Sequence, residues 1–362
     1  MHQSNFDKKG LFFSLKFGAL VFLLVFVGKY GLRFATDALR IVRNNQPNEV
    51  RYVASLIALK QLTETKEENN REVLALKKIS LGFVGDIMLD RGVKSSVAKY
   101  GSGDYIFAFE KVKDYLNSFD ILFGNLEGPI SDKGVKTGSI YSFRMNPQSA
   151  KSLKEAGFDV LSVANNHMGD WSRVAMKDTF QNLKNFEIVY SGGGDNKEEA
   201  YQVKTILKND TKIAYLSFSQ FGKGYLEAGE DTAGIAIISD EKLKSGIEKA
   251  KAENDIVIAS FHFGDEYKKE PNAYQKSIAH KAIDYGADLV VGHHPHVVGL
   301  IEKYKDRYIA YSLGNFVFDQ YFSKETMEGL LLKVTVEDKK ITDVSSDKII
   351  INKYYQPELA TE

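Results

Sequence analysis

Short apolar runs that stop at a glycine, an asparagine or a histidine recur through the chain, separated by polar stretches with helical patterning. Residues 79–84 lead into Gly85-Asp86, and 121–123 into Gly124-Asn125-Leu126-Glu127. Residues 160–163 lead into Ala164-Asn165-Asn166-His167, 256–261 into His262, and 287–291 into Gly292-His293-His294-Pro295-His296. Apolar runs of this length, bounded by turn residues, predict buried strands. Residues 104–117, 147–156, 173–184, 241–252 and 273–285 carry the wider spacing of amphipathic helices. Strand and helix in alternation predict an α/β layered sheet. Residues 203–207 and 212–217 flank Asn209-Asp210 as a hairpin, and 330–336 and 341–351 close the unit around Asp338-Lys339-Lys340. These antiparallel pairs make the sheet mixed, or divide it into two stacked sheets.

The pattern changes upstream. Residues 17–28 carry no charge, and reading back to Leu11 lengthens the run toward the ~20 residues of a membrane span. Lys16 lies near its N-terminal end, where a long side chain reaches the headgroups. Lys8 and Lys9 precede the run and Lys29, Arg33, Arg40 and Arg43 follow it, so flanking charge does not fix orientation. The expected organisation is a cytoplasmic tail and single-pass signal anchor over 1–30, with the globular domain extracytoplasmic at the cell membrane. A cleaved signal peptide lacks a small-x-small site after the run. A buried core helix conflicts with the polar stretch that isolates it. Residues 31–77 read as a helical stalk broken near Pro47. The globular unit spans 78–352, and 353–362 is expected to be a flexible tail.

Composition narrows the chemistry. Lys+Arg and Asp+Glu each number 48, so no basic surplus draws the chain to nucleic acid. There are no cysteines, which excludes disulfides, thiolate metal sites, iron–sulfur clusters and a cysteine nucleophile. Any metal must be held by oxygen and nitrogen.

Such donors sit where strands end: Asp86, then Asn125 and Glu127, then Asn166 and His167, then His262, then His294 and His296. The carboxyl ends of strands are where open α/β sheets build sites. Three of seven histidines fall within 293–296, and Pro295 stiffens the turn between two of them. Carboxylate, amide and imidazole without sulfur suit Mn, Fe, Zn or Mg. Two such ions ~3.5–4 Å apart clamp the attacking and leaving oxygens of a phosphoryl displacement. Taken singly, each residue has a plainer reading. Asp86 caps the next segment; Asn125 and Asn166 are turn residues; Glu127 is solvated; His262 is a satisfied core residue. Arg144 is a surface charge or a fork for phosphate or carboxylate. Asp265 and Glu266 read as solvated, Asn315 and Asp319 as loop-shaping.

The segments Gly85-Asp86-Ile87-Met88, Asn125 to Pro129, Phe143 to Pro147, Ala164 to His167, His262 to Tyr267, Gly292 to Val297 and Ser312 to Phe316 together resemble one family. It is the bacterial capsule-synthesis, poly-gamma-glutamate-synthesis (CapA-like) family, within the calcineurin-like metallophosphoesterase superfamily, and the likeness covers about 79–320. The resemblance implies a four-layer α/β sandwich of two mixed β-sheets flanked by helices. It also implies an envelope location and a role in making or exporting an anionic polymer. Asp86 matches the first metal-binding Asp, but Met88 stands where the superfamily has His. Glu127, with Asn125, matches the bridging carboxylate. Asn166 matches a ligand and His167 its catalytic partner; His262, His294 and His296 match ligands, whereas His293 is incidental or supporting. Arg144 falls in a matching segment as a substrate clamp. The implied cofactors are one or two divalent ions, Mn, Zn or Fe. The implied partners are the membrane, an anionic polymer or phosphoester substrate, and membrane synthase or export subunits. Two functions stay open: a metal-dependent phosphoester hydrolase, or a non-catalytic polymer-binding component of a membrane complex.

Overall fold

The computed structural model describes residues 60, 63–64, 78–137 and 140–360. The anchor expected over 1–30 and nearly all of the stalk expected over 31–77 lie outside the described residues. Among the described residues no helix is long and apolar enough to cross a membrane.

Strands β1 (Ile79–Ile87), β2 (Ile121–Leu126), β3 (Phe158–Ser162) and β4 (Val189–Ser191) pair in that order, all parallel. A short β5 (Gly193–Gly194) leads to a second sheet, entered through the hairpin β6 (Lys204–Lys208) and β7 (Thr211–Ser219). Strand β8 (Gly234–Ile235) pairs with β5. The second sheet continues with β9 (Ile256–His262), β10 (Leu289–His293), β11 (Ile301–Tyr304) and β12 (Arg307–Ala310). Its order is β11-β12-β10-β9-β7-β6, parallel through the middle four. The chain then returns to the first sheet. There β13 (Asn315–Val317) runs parallel to the end of β1, and β14 (Glu328–Glu337), β15 (Lys340–Ile351) and β16 (Pro357–Leu359) complete it antiparallel.

Burial explains why these residues are strands. Every position of β2, β9 and β10 is buried, as expected of parallel strands covered on both faces. One apolar cluster joins the sheets, with Leu81, Phe83 and Phe123 meeting Tyr215, Ile258, Leu289 and Val291. A second joins the first sheet to α1 (Arg91–Tyr100), α2 (Gln148–Glu155) and α3 (Ser172–Asn185). A third joins the second sheet to α4 (Asp240–Glu253) and α5 (Ala273–Asp284). Helix, sheet, sheet and helix therefore follow one another through the unit. Helices α4 and α5 start where the side chains of Ser239 and Asn272 accept first-turn N–H groups; Asn272 and Gln275 form a capping box.

Both expected hairpins form, with Asn209 and Asp210, and Asp338 and Lys339, at the positive φ that two-residue hairpin turns require. Two segments differ from expectation. Residues 104–117 form not one helix but a 3₁₀ turn (Tyr105–Phe109) and a single helical turn (Lys113–Leu116). Asp104 caps Ile106 N–H, and the buried Tyr105 and Ala108 are three apart, which suits the tighter turn. The tail expected over 353–362 is tied down instead: β16 pairs with β15, and Gln356 donates to Phe107 C=O at 2.6 Å.

The first sheet and the site meet at Gly85. A Cβ there would lie 2.0 Å from Gly314 O, and the next residue's N–H, that of Asp86, donates to the same oxygen at 3.0 Å. Backbone has no room to yield, so Gly85→Ala is expected to destabilise the fold by on the order of 2 kcal/mol or more, read as a lowered midpoint in thermal or denaturant unfolding. An unchanged midpoint would show that β1 and β13 are not clamped together here.

Candidate metal centre

The carboxyl ends of β1, β2 and β3 in one sheet and of β9 and β10 in the other open onto one buried place. Register aligns them: Asp86 is the partner of Asn125 and of Asn315, and His262 of His293. Beyond β10, His294 and His296 both adopt positive φ. For side-chain-bearing residues that conformation is strained, the kind of strain that gathers at functional sites. It turns both imidazoles inward, where Phe221 packs on His294 at 4.3 Å and Phe318 on His296 at 5.0 Å between centroids.

The contacts are short and mutual. Asn125 Nδ2 donates to Asp86 Oδ1 at 2.8 Å, lies 3.4 Å from Glu127 Oε2, and turns its own oxygen to Asn165. His296 Nδ1 is 3.2 Å from Asp86 Oδ2 and 3.0 Å from Asn315 Oδ1, and its Nε2 is 3.5 Å from Glu127 Oε1. His262 Nε2 lies 2.7 Å from Asn166 Oδ1 and 3.1 Å from His294 Nδ1. Asp86, Glu127 and His296 offer donor atoms within 4.8 Å of one another, and so do Glu266, His294 and His296. His293 is fully buried, with Nδ1 3.4 Å from Asp86 Oδ1, and neither of its nitrogens makes a hydrogen bond.

The electrostatics are those of a centre that competes for positive charge. Burial raises the Glu127 carboxyl well above its ordinary range, and the Asp86 charge adds to this. Burial would raise Asp86 as well, but the imidazoles of His293 and His296 outweigh it and hold that carboxyl well below. Burial would lower His296, but Glu127 and Asp86 lift it to about 9. Burial, reinforced by neighbouring imidazoles, drives His262 well down and His294 to about 3. Those two rings are therefore neutral, the form in which imidazole ligates.

The residues fit a dication. Glu127 Oε1 is a fully buried carboxylate oxygen with no hydrogen-bond partner, set between the Nε2 atoms of His296 and His167, the latter 3.8 Å away. An orphaned acceptor of that kind is costly unless a cation or proton meets it. Oxygen and imidazole nitrogen are the donors Mn, Fe and Zn accept.

His167 stands at the edge, 9% exposed. Asp170 Oδ2 lies 2.8 Å from its Nδ1 and also accepts the Phe143 N–H at 2.9 Å, while the Phe143 ring packs on the imidazole at 4.1 Å. Nε2 is thereby aimed at the centre. Of the residues singled out in the sequence, Asp86, Asn125, Glu127, Asn166, His167, His262, His294 and His296 come together. Arg144 makes no contact with them. Its guanidinium lies 3.7 Å over the Trp171 ring and donates to Asp132 C=O at 3.4 Å. Met88 packs into the helix-side core of the first sheet and brings no donor to the centre.

Sequence reasoning passed over four participants. Asp170 was discoverable from its i, i+3 spacing to His167. Asn165 orients the Asn125 amide. Asn315, read as loop-shaping, holds His296. Glu266, read as solvated, shares a donor cluster with His294 and His296.

A family model described as bacterial capsule synthesis protein PGA_cap matches residues 80–320. The chain is 34% identical over 324 residues to the capsule biosynthesis protein CapA of Bacillus anthracis, covering 85% of this chain and 78% of the relative. It is 38% identical over 254 residues to the PGA biosynthesis protein CapA of Bacillus subtilis (strain 168), covering 68% and 65%. A 5'-nucleotidase precursor structure from Thermus thermophilus aligns at a TM-score of 0.48 and 10% identity, over 78% of this chain and 56% of that one. Matched across two thirds of its length and backed by the two Bacillus relatives, the chain belongs to the bacterial capsule synthesis (PGA_cap) family.

Proposed function

We propose that this protein is a membrane-anchored hydrolase of capsule or poly-gamma-glutamate synthesis or export, acting on a phosphoester with the help of one or two divalent ions. The family supports the process. The uncharged run from residue 17, with its flanking lysines and arginines, supports a single-pass anchor and an extracytoplasmic domain. The observation that carries the chemistry is Glu127 Oε1, buried without a partner in a cluster with Asp86 and His296 and facing His167.

Asp86, Glu127, His262, His294 and His296 would hold the ions, with Asn166 joining through its amide oxygen. Bound there, a dication would supply Lewis acidity toward the phosphoryl group and toward water. The rest falls to side chains. His167, with Nδ1 held by Asp170, presents Nε2 as the proton donor to a departing oxygen. Asn125 fixes the carboxylates, Asn165 orients the Asn125 amide, and Phe143 holds the His167 ring against rotation. Arg144, braced on Trp171, offers an unpaired charge to an anionic substrate. The second reading, a non-catalytic polymer-binding component, draws on Met88: the set Asp86, Glu127 and His296 is one donor short of the usual four.

Three outcomes test these assignments. The purified full chain is expected to retain or bind Mn, Zn or Fe by elemental analysis, and His294→Ala with His296→Ala to lose it; a parent protein that takes up no dication would end the proposal. Asn315→Ala is expected to weaken metal affinity by about 10–100-fold, because it removes the group that orients His296; unaltered affinity would mean that His296 does not ligate. Against a chromogenic phosphodiester, His167→Ala is expected to lower kcat by ~10²–10⁴ with metal content unchanged. Absence of esterase activity in the metal-loaded parent would favour the polymer-binding reading.

A further inference from the structure

Two acidic residues stand side by side at the rim of the centre and are used differently. Asp265 Oδ2 accepts from Asn272 Nδ2 at 2.8 Å, so it braces the residue that caps α5. Glu266 is exposed, yet one of its carboxylate oxygens and one ring nitrogen each of His294 and His296 all lie within 4.8 Å of one another. Among the described residues no lysine or arginine lies within ion-pair distance of Glu266. Lys269, three residues on, pairs instead with Glu325 at 3.7 Å.

The loop that carries Glu266 is bolted to the histidine turn. Phe263 N–H donates to His293 C=O at 3.1 Å, and Tyr267 N–H to Pro295 C=O at 2.8 Å. Gly264 N–H donates to Gln220 Oε1 at 2.8 Å. With φ at +99° and a Cβ position 2.3 Å from Gln275 Cδ, residue 264 has room for glycine alone. Tyr267 closes the loop at a φ of +62°, a conformation unfavourable for so large a residue. Glu266 is thus carried on the same frame as His294 and His296. Its charge reaches the buried site, where it adds to the burial and the Asp86 charge that raise the Glu127 carboxyl. A strained loop that adds a third acid beside two buried ones calls for a cation among them. The unpartnered Glu127 Oε1 points to the same occupant.

We propose that Glu266, His294 and His296 form a rim-side site for a divalent transition-metal ion, with a further position open to water or substrate. The proposal rests on the reading that the centre holds a dication, and it adds a ligand to that centre. Two imidazoles and one carboxylate are a complete protein set for a catalytic zinc ion, whose fourth position stays open. The buried set of Asp86, Glu127 and His296 gains no donor from Met88; the rim set needs none from that position. With imidazole in the majority, the set favours Zn or Fe over Mg and Ca.

The full-length protein, stripped with a chelator, would be titrated with Zn²⁺ by calorimetry and with Co²⁺, whose visible absorption reports its coordination. Glu266→Ala is expected to weaken one Zn²⁺ binding step by at least the 10–100-fold that follows loss of a merely supporting partner, and to alter the Co²⁺ spectrum. Glu266→Asp is expected to recover part of the affinity. Asp265→Asn, which keeps an oxygen for Asn272, is expected to leave both readings unchanged. In chelator, Glu266→Ala is expected to melt at or above the parent's temperature, because a like charge has gone; with Zn²⁺ its upward shift is expected to be the smaller. A parent that binds no dication would overturn the metal centre and this site with it. A parent that binds Zn²⁺ while every step is unchanged in Glu266→Ala, or is weakened equally in Asp265→Asn, would overturn the rim site alone. A Glu266→Ala melting temperature already lowered in chelator would make the residue a support for its loop, and would also overturn the site.

Discussion

The dry layer between the two sheets is the constraint on which the rest depends. Phe83 and Phe123 from one side, and Tyr215, Ile258, Leu289 and Val291 from the other, are almost wholly excluded from water. Each large side chain buried in this way stabilises the fold by roughly 1.5–3 kcal/mol. Strand residues alternate faces, so committing these side chains to the shared layer also commits the residues two further along. Asn125 follows Phe123 on the same face, and His293 follows Val291. The packing that excludes water is thus what delivers polar ends from two sheets to one place.

Delivering them there is unfavourable by itself. Asp86 and Glu127 are both fully buried, and two carboxylates in a low-dielectric site repel each other while losing their hydration. The structure answers with a graded set of groups rather than with a single ion pair. His296 takes the charge-bearing role, between both carboxylates and braced by Asn315. His262 and His294 stay neutral, 3.1 Å from each other. The directions of the protonation shifts and the positive φ at His294 and His296 describe a buried cluster kept at the expense of local stability.

How much of this was legible depended on the range of the interaction. Strand ends, hairpin turns and the caps of α4 and α5 are local, and Asn209-Asp210, Ser239 and Asn272 announce them in sequence. The clustering of Asp86 with His296 spans some two hundred residues; it was legible only because several strands ended in the same donor chemistry. Features set by a distant partner were missed. Asn315 looks like a loop residue until β13 is seen beside β1. Residues 357–359 look like a tail until β15 offers an edge. The helix expected over 104–117 failed for a local reason, since the spacing of Tyr105 and Ala108 also fits a 3₁₀ turn. Glu266 was passed over because an exposed acidic pair beside an aromatic carries no periodic signal.

His167 shows how the two scales combine. Its place at a strand end is set by β3, but its usefulness is set by Asp170, three residues on, and by Phe143, which arrives from another loop and binds the same carboxylate through its N–H. A single Asp170 oxygen therefore ties the imidazole, the Phe143 loop and the approach to α3 into one unit. Rotation of the ring would break the Asp170 contact and lose the Phe143 packing together, so Nε2 is held toward Glu127 without help from substrate. The neighbouring Arg144, stacked on Trp171 just beyond Asp170, shares that support. Imidazole and nearby positive charge are thus positioned by the same few residues.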